Sequence, residues 1–175
     1  MESDKSKVVQ DWYDTYNEPI FKFIFMMIQD YQQAEDLRHE TFIKAFVNYD
    51  SFKHHSSPKT WLYSIAHNVT IDFIRKRKPL TMIKEVLLLK KDEAPMPCEL
   101  VQIRETSIEL YRVLGTLKES YRKVIILRKV KGFSIYETAK ILGWSESKVK
   151  STLFRAIQAF EKEMLKEGLL NEKTV

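Results

Sequence analysis

A segment near the C-terminal end constrains the fold of this chain most, because residues 133–155 have the pattern of two short helices separated at Gly143. The hydroxyl of Ser134 can accept a hydrogen bond from the backbone N–H of Glu137 while the Glu137 carboxylate reaches back, a reciprocal pair that starts many helices. Gly143 can take the left-handed conformation that follows a last helical turn, and Ser145 can cap the next helix. The segment therefore predicts a helix-turn-helix.

The second helix of this motif has two different faces when successive residues are advanced by about 100°. Its apolar stripe, which we expect in the core, consists of Val149, Leu153, Ala156, Phe160 and Met164. The opposite face and its flanks carry Ser147, Lys148, Lys150, Ser151, Thr152, Phe154, Arg155 and Gln158. Cations can neutralise phosphates or reach guanine edges, and small hydroxyl residues let a helix approach the major groove closely. A solvated helix face is the alternative, but no acidic residue occurs between Glu146 and Glu161, which favours DNA.

The positive charge of the chain is concentrated around this motif. Residues 101–165 contain thirteen Lys and Arg against seven Glu and no Asp, whereas residues 1–78 contain eleven cations and eleven acids. A basic balance alone would also fit a membrane surface or an acidic partner. Its localisation on a helix-turn-helix favours a polyanionic duplex.

Periodicity and composition predict an all-α protein with two small helical domains joined by a flexible linker. The 175 residues include only four Gly, and 44% are hydrophobic, which is enough for packed cores. The prolines at positions 79, 95 and 97 mark a change in composition between two helical regions. We predict a first domain at residues 1–78, a linker at 79–102, a second domain at 103–165 with the helix-turn-helix at about 134–156, and a tail at 166–175.

Cysteine usage and the N-terminal residues predict a cytoplasmic location. The lone Cys98 excludes an internal disulfide and suits a reducing compartment. Residues 1–7 lack the pattern of a signal peptide, and the apolar run at residues 24–28 is far too short to span a bilayer. We therefore expect a soluble protein.

The first two helical patterns of the first domain indicate no function by themselves. The first runs from about residue 8 to residue 27 with aromatic and aliphatic residues at core spacing. The second covers residues 32–49, and its inward positions are Leu37, Thr41, Ala45 and Phe46. Its polar side carries Glu35, Asp36, His39, Glu40, Ile43 and Lys44. An acidic start to a helix is ordinary dipole chemistry.

A third helix is expected from Lys59 to the four consecutive cations at residues 75–78, after a polar loop at residues 53–58. Its apolar stripe is Leu62, Ile65, Ala66, Val69 and Phe73, and its other side carries Ser64, His67, Asn68, Ile71 and Arg75. Rings and cations interleaved with Asn and His suit single-stranded DNA, whose bases stack on rings. Solvated cations at a helix C-terminus are the alternative. The adjacent His54 and His55 lack Cys or carboxylate partners, so no metal site is predicted.

Three ordered blocks resemble the extracytoplasmic-function (ECF) group of bacterial sigma factors, the smallest alternative initiation subunits of RNA polymerase. Residues Ala34–Phe46 resemble the polymerase-binding helix of that family, and residues Lys59–Arg75 resemble its promoter-melting and minus-ten-reading helix. Residues Leu114–Arg128, Gly132–Ala139 and Val149–Ser151 match its minus-thirty-five-reading domain in order and spacing. The resemblance covers almost the whole chain.

The resemblance implies roles for three sets of residues. Contact with core RNA polymerase is implied for Glu35, Asp36, His39, Glu40, Ile43 and Lys44. Contact with minus-ten DNA, including capture of a flipped base by the loop from Phe52 to Pro58, is implied for Phe52, Lys53, His54, His55, Ser56, Trp61, His67, Asn68 and Arg75. Contact with minus-thirty-five DNA is implied for Ser147, Lys148, Lys150, Ser151, Thr152, Phe154 and Arg155.

The resemblance also implies the partners. They are core RNA polymerase, through its beta-prime clamp helices and beta flap, promoter DNA, and an anti-sigma factor, often membrane-anchored. No catalysis, cofactor, metal or small-molecule substrate is implied. The family usually has Gln at the position of His39, Gly-Thr at Ser147 and Lys148, and Arg at Thr152, so the promoter sequence is not carried over from relatives.

Two other classes of protein remain as alternatives. A dimeric transcriptional regulator explains residues 103–165 equally well, but it gives no reason for the blocks at residues 34–46 and 61–75. A nucleic-acid-processing enzyme requires a constellation of acids, His or Cys around a site, and the sequence indicates none.

Overall fold

Helices are the only regular elements in the part of the chain that the computed structural model describes, residues 2–87 and 105–170. The chain divides into two compact units, residues 1–100 and 101–175. The prediction of an all-α fold with two helical domains is therefore confirmed. Residues 88–104, which include Cys98 and most of the expected linker, and residues 171–175 of the expected tail lie outside the described residues.

The first unit contains three helices in its described residues: α1 (Glu2–Ile28), α2 (Tyr31–Val47) and α3 (Pro58–Leu87). A short 3-10 turn at Tyr49–Ser51 follows α2. Each of the three helices packs against the other two. Side chains from α1 and α3 supply the largest fully buried residues, namely Ile20, Phe23, Ile24, Met27, Leu62 and Tyr63. Burial raises the pKa of the Tyr63 hydroxyl, so this group stays neutral in the core.

Asp30 connects the beginning of α2 to the distal part of α3. Its Oδ1 accepts a hydrogen bond from the backbone N of Gln33 at 3.1 Å, which caps α2. Its Oδ2 lies 3.3 Å from Nη1 of Arg77, a residue of the basic run on α3. Gln29, the residue that follows α1, has a φ of 55°, a left-handed conformation that is uncommon for a residue with a side chain.

One inward position predicted for α2 is wrong. Phe46 is 39% exposed, whereas Phe42 is only 6% exposed and its ring lies 4.9 Å from that of Tyr13. The inner stripe follows the positions of Leu37, Thr41 and Ala45, which are buried as predicted. Position 42 lies beside that stripe and position 46 lies outside it.

The expected end of α3 at residue 78 is also wrong, since the helix continues to Leu87. Pro79 marked the boundary in the sequence, because a proline inside a helix removes one backbone hydrogen bond and crowds the preceding turn. That cost does not end the helix here, and α1 likewise continues through Pro19. The first nine residues of the expected linker thus belong to α3.

The second unit contains four α-helices in its described residues: α4 (Glu105–Thr116), α5 (Glu119–Ile125), α6 (Ile135–Leu142) and α7 (Glu146–Lys166). A wider, π-type turn at Ile126–Val130 extends α5. The last helix packs against each of the other three. The core that they share includes Val113, Leu114, Val124, Ile126, Leu127, Ile141, Val149 and Ala156.

Two arginines hold the connections of this unit. The Nε of Arg122 donates to the carbonyl of Leu114 at 2.8 Å, and its Nη2 donates to the carbonyls of Gly115 at 2.7 Å and Leu117 at 3.1 Å. These bonds satisfy carbonyl groups that the end of α4 leaves without helical partners. Burial lowers the pKa of the Arg122 guanidinium. Arg128 donates to the carbonyl of Phe133 and so fixes the approach to α6.

Candidate nucleic-acid interface

The helix-turn-helix has the local hydrogen bonds that the sequence predicts. Ser134 Oγ accepts from the backbone N of Glu137 at 3.1 Å, and the backbone N of Ser134 donates to the Glu137 carboxylate at 2.8 Å. Gly143 has a φ of 64°, in the left-handed region. Ser145 Oγ accepts from the backbone N of Lys148 at 3.2 Å. The predicted capping box, turn and second cap are therefore confirmed.

Most of the predicted minus-thirty-five residues form one exposed face of α7. The exposed members are Ser147, Lys148, Lys150, Ser151, Phe154 and Arg155. Phe154 is 65% exposed, so its ring is accessible on this face. The Nε of Arg155 donates to the carbonyl of Ser151 at 3.2 Å, a bond that uses one of the five donors of the guanidinium.

Thr152 does not belong to this exposed face. It is 5% exposed, because positions 149, 152 and 156 share the inner stripe and Val149 and Ala156 are both fully buried. The Thr152 side chain is therefore not accessible for the predicted contact with DNA. Its hydroxyl side chain packs in the core.

The sequence interpretation missed Trp144, in the turn that precedes α7. The ammonium of Lys148 lies 4.4 Å from the centre of the Trp144 ring. An i, i+4 spacing of an aromatic residue and a lysine was visible in the sequence and could have indicated this contact.

The loop predicted to capture a base is built on a cluster of rings. Lys53, His54 and His55 are exposed, and Ser56 is half-buried. Phe52 is only 7% exposed and its ring centre lies 5.5 Å from that of Trp12, 5.0 Å from that of Trp61 and 4.4 Å from that of His54. Phe52 is thus a support beneath His54, which is the exposed ring of the loop that rests on this cluster.

The predicted DNA-facing side of α3 is divided between surface and core. Asn68 and Arg75 are exposed, and Trp61 is half-buried. His67 is 6% exposed, since it lies at helical spacing from the buried Tyr63 and Thr70. Its Nδ1 lies 3.3 Å from Oδ1 of Asn68. This contact connects the buried His67 to the exposed Asn68.

A cavity of about 340 Å³ lies between α2 and α3. Its lining residues are Lys44, Asn48, Ser51, Trp61, Ser64, Ile65, Asn68 and Val69. Three of them, Lys44, Trp61 and Asn68, were predicted as contact residues from the sequence. The cavity therefore brings the end of the predicted polymerase-binding helix beside the predicted minus-ten residues.

Two cations of the basic run have partners within the first unit. Arg75 lies 3.8 Å from Asp72, a pair that is mostly exposed and therefore weak. Arg77 pairs with Asp30 and also lies over the ring of Phe73, with 5.5 Å between the guanidinium carbon and the ring centre. Arg75 can exchange Asp72 for a phosphate at a small cost in free energy. Arg77 also contributes to the fold, because it contacts both Asp30 and Phe73.

The predicted polymerase-binding residues form the outer face of α2. Asp36, His39, Glu40, Ile43 and Lys44 are exposed, and Glu35 is half-buried. Lys44 pairs with Glu40 at 3.0 Å and Arg38 pairs with Glu35 at 3.6 Å, whereas Asp36 has no ion pair in the described part of the chain.

Apolar residues continue this face toward the end of α2. Ile43 is 63% exposed, Phe46 39% and Val47 66%. The sequence interpretation included only Ile43. The outer face of α2 therefore combines carboxylates near its start with an apolar patch near its end, a composition that fits a protein partner.

None of the helices in residues 2–87 and 105–170 is both long enough and apolar enough to cross a bilayer. Within the same residues, no three side chains of His, Cys, Asp or Glu are grouped as a metal site would require.

Comparison with known proteins gives matches over both units. The family model for sigma-70 region 2 matches residues 12–79, and the model for sigma-70 region 4 matches residues 107–160. The ECF RNA polymerase sigma factor SigX of Bacillus subtilis is 39% identical over 170 residues, which cover 92% of this chain and 87% of SigX. SigM of the same organism, also an ECF RNA polymerase sigma factor, is 33% identical over 86% of this chain and 91% of its own.

A solved structure is similar over most of the chain as well. It is that of the sigma factor RpoE in complex with the anti-sigma factor NepR from Bartonella quintana. The match has a TM-score of 0.75 and 25% identity, and it covers 90% of this chain and 97% of RpoE.

Proposed function

This chain belongs to the ECF sigma factors of the sigma-70 family, and we propose that its exposed faces on α2, α3 and α7 carry out the separate contacts of promoter recognition. The protein is an alternative sigma factor, which binds core RNA polymerase and directs it to specific promoters. The proposal concerns which of its own residues make those contacts.

The outer face of α2 binds core RNA polymerase at the beta-prime clamp helices. The contacts come from Glu35, Asp36, His39, Glu40, Ile43 and Lys44, to which the exposure of Phe46 and Val47 adds an apolar part. Asp36 has no ion pair among the described residues, so its carboxylate can meet a basic partner without first breaking a contact seen there.

The minus-ten element is contacted by the loop after Phe52 and by the exposed residues of α3. His54 is the ring on which a flipped base stacks, because it is exposed and rests on the buried Phe52. Lys53, His55, Ser56, Trp61, Asn68 and Arg75 line the path of the strand. Phe52 and His67 support that surface from below.

The minus-thirty-five element is contacted by α7, which lies in the major groove. Ser147, Lys148, Lys150, Ser151, Phe154 and Arg155 face the DNA, and Thr152 supports them from the core. Arginine can form a bidentate contact with guanine, and an exposed ring can meet a thymine methyl group. The beta flap of core polymerase is a further contact of the second unit.

Control by an anti-sigma factor completes the proposal. RpoE, which matches this chain at a TM-score of 0.75, is bound to an anti-sigma factor in its solved structure. An anti-sigma factor that covers the outer face of α2 or α7 would keep this protein from polymerase or promoter. We place this protein in the cytoplasm and the anti-sigma factor in the membrane. We assign no enzymatic activity to this protein.

The observation that carries the assignment of surfaces is the exposed, acidic and apolar face of α2. The experiment is gel filtration of the purified chain with bacterial core RNA polymerase at micromolar concentration. We expect co-elution, and loss of co-elution in the variant with Asp36→Ala and Glu40→Ala. The matched control carries Asp11→Ala and Asp14→Ala, which remove two exposed carboxylates from α1 of the same unit.

Co-elution of both variants would overturn the assignment to α2. A chain that elutes alone as a dimer, with no association at all, would favour a free-standing helix-turn-helix regulator.

A further inference from the structure

Trp144 lies in the turn of the helix-turn-helix and has two ammonium groups near its ring. The Nζ of Lys148 lies 4.4 Å from the ring centre and the Nζ of Lys123 lies 5.0 Å from it. Both distances are within the range of a cation–π contact. The ring thus joins a residue of α5 to a residue of α7.

The two lysines differ in what surrounds them. Lys123 is 8% exposed, and its ammonium lies 3.8 Å from the carboxylate of Glu119. Its charge is therefore largely compensated within the domain, and its contact fixes the ring against α5. Lys148 is exposed and has no carboxylate partner in the described residues.

The start of α7 adds positive potential around Lys148. Lys148 is the third residue of α7, in the first helical turn, where the helix dipole presents partial positive charge. Lys123 adds little to this potential, because Glu119 balances most of its charge. An anion that arrives here is therefore attracted by the ammonium and by the helix dipole together.

The indole N–H of Trp144 supplies a further donor. It has no acceptor within hydrogen-bond distance in the described part of the chain, and the residue is only half-buried. An indole can donate but not accept. The turn therefore presents an ammonium and an N–H together, both suited to an anionic oxygen.

We infer that Trp144 and Lys148 form a phosphate grip, which binds the sugar-phosphate backbone of duplex DNA at the start of α7. The inference rests on the proposed function, since it requires α7 to lie in the major groove. In this assignment Lys148 contacts a phosphate and does not read a base edge. Base reading falls to the residues further along the helix, such as Ser151, Phe154 and Arg155.

The direction of the lysine side chain is the reason for this division. The ring of Trp144 holds the ammonium back toward the turn, one helical turn before Lys148 and away from the exposed residues that follow it. Lysine is also a point charge without the planar fork that favours guanine, so it suits a phosphate oxygen. Contact with the ring reduces the freedom that Lys148 would lose on binding.

The first test measures binding of the full chain to two short duplexes of unrelated sequence, over a series of salt concentrations. We expect Lys148→Ala to weaken binding to both duplexes by the same several-fold factor. The slope of log affinity against log salt becomes shallower by about 0.9, as for one lost phosphate contact. The control is Lys162→Ala, which removes an exposed cation about 21 Å further along the same helix and leaves both quantities unchanged.

A loss confined to one duplex would show that Lys148 reads a base, and would overturn the inference. An unchanged salt slope would do so as well.

The second test uses polymerase holoenzyme on promoter DNA in which single phosphates are replaced by uncharged methylphosphonates. One replacement near the upstream element should weaken binding of the wild-type protein and have no further effect on the Lys148→Ala holoenzyme. If no replacement behaves in this way, the inference fails.

Variants of the ring separate its two contributions. Trp144→Phe keeps a ring for the cation but removes the N–H, so its loss of affinity should be smaller than that of Trp144→Leu. Thermal melting of both variants shows whether the domain is folded. If Trp144→Leu binds DNA as tightly as the wild type, the ring does not hold the lysine for this purpose.

These outcomes are distinguishable from failure of the proposed function. A chain that does not join core polymerase contradicts the proposed function, whereas the first test needs only duplex DNA. A chain that joins polymerase but loses affinity for a single sequence on Lys148→Ala contradicts only the phosphate grip.

Discussion

The two units build their candidate surfaces in different ways. In the second unit the caps, the turn and the exposed face all come from one continuous segment, residues 134–156, and each hydrogen bond in it spans a few residues. In the first unit the surface depends on residues far apart in the chain, such as Trp12 beneath Phe52 and Asp30 beside Arg77. A substitution in a surface made of local contacts affects mainly its own neighbours in the chain. A surface made of distant contacts is kept only while the whole unit is folded.

The largest effect is expected for Phe52→Ala in the first unit. Removal of a buried ring from the cluster should lower the free energy of unfolding by about 3–5 kcal/mol. Trp12 and Trp61 report on this unit by fluorescence once Trp144→Phe has removed the signal of the second unit. His54→Ala, which changes the exposed ring of the same cluster, is the control and should leave stability nearly unchanged. Equal losses of stability for Phe52→Ala and His54→Ala would contradict the assignment of Phe52 as the buried support and His54 as the surface ring.

A smaller effect, on binding alone, is expected for Arg155→Ala in the second unit. Loss of one base contact should weaken holoenzyme binding to its promoter by about 1–3 kcal/mol without lowering the melting temperature of the chain. Arg155→Lys keeps the charge and loses the fork, so most of the loss should remain. A fall in stability comparable to that of a core variant would mean that this face is not independent of the fold.

Next in size is Asp30→Ala, which removes a cap and an ion partner together. We expect the first unit to lose about 1–2 kcal/mol of stability. Asp30→Asn keeps an oxygen for the cap but not the charge for Arg77, so it should lose less than half as much. Urea denaturation followed by fluorescence gives both values. If Asn is as damaging as Ala, the pair with Arg77 and not the cap is the main contribution.

The smallest effect is expected to be stabilising. Gln29 has a left-handed backbone conformation that glycine adopts without strain, so Gln29→Gly should raise the stability of the first unit by about 0.5–1 kcal/mol. Glu18→Gly, in the middle of α1, is the control and should lower it. A loss of stability on Gln29→Gly would show that the side chain of Gln29 contributes more than its backbone costs.

The same difference between the units decides how much the sequence could predict. The capping box at Ser134, the turn at Gly143 and the cap at Ser145 depend on neighbours in the chain, and all three were predictable. Helical periodicity correctly predicted that Val149 and Ala156 are buried, whereas Leu153, Phe160 and Met164 of the same expected stripe are half-buried. It failed for Thr152, whose hydroxyl suggested a surface position although its place on the helix is buried.

The first unit was less predictable because its side chains are placed by packing between helices. His67 and Phe46 were placed on the wrong side of their helices by the helical pattern, and Phe52, for which the resemblance implied contact with DNA, is buried. The ion pair between Asp30 and Arg77 joins residues 47 positions apart. A local sequence pattern cannot predict a contact over that separation. The end of α3 was predicted too early because a proline makes the end of a helix more frequent at its position but does not require it.

The two faces of α7 have a consequence for how this protein can diverge. Val149, Thr152 and Ala156 hold the helix in the domain, whereas Ser147, Ser151 and Phe154 point outward. Substitutions on an exposed face usually change stability by less than about 0.5 kcal/mol. A gene duplicate could therefore acquire a new set of target genes through a few outward substitutions, while the inherited scaffold stays intact.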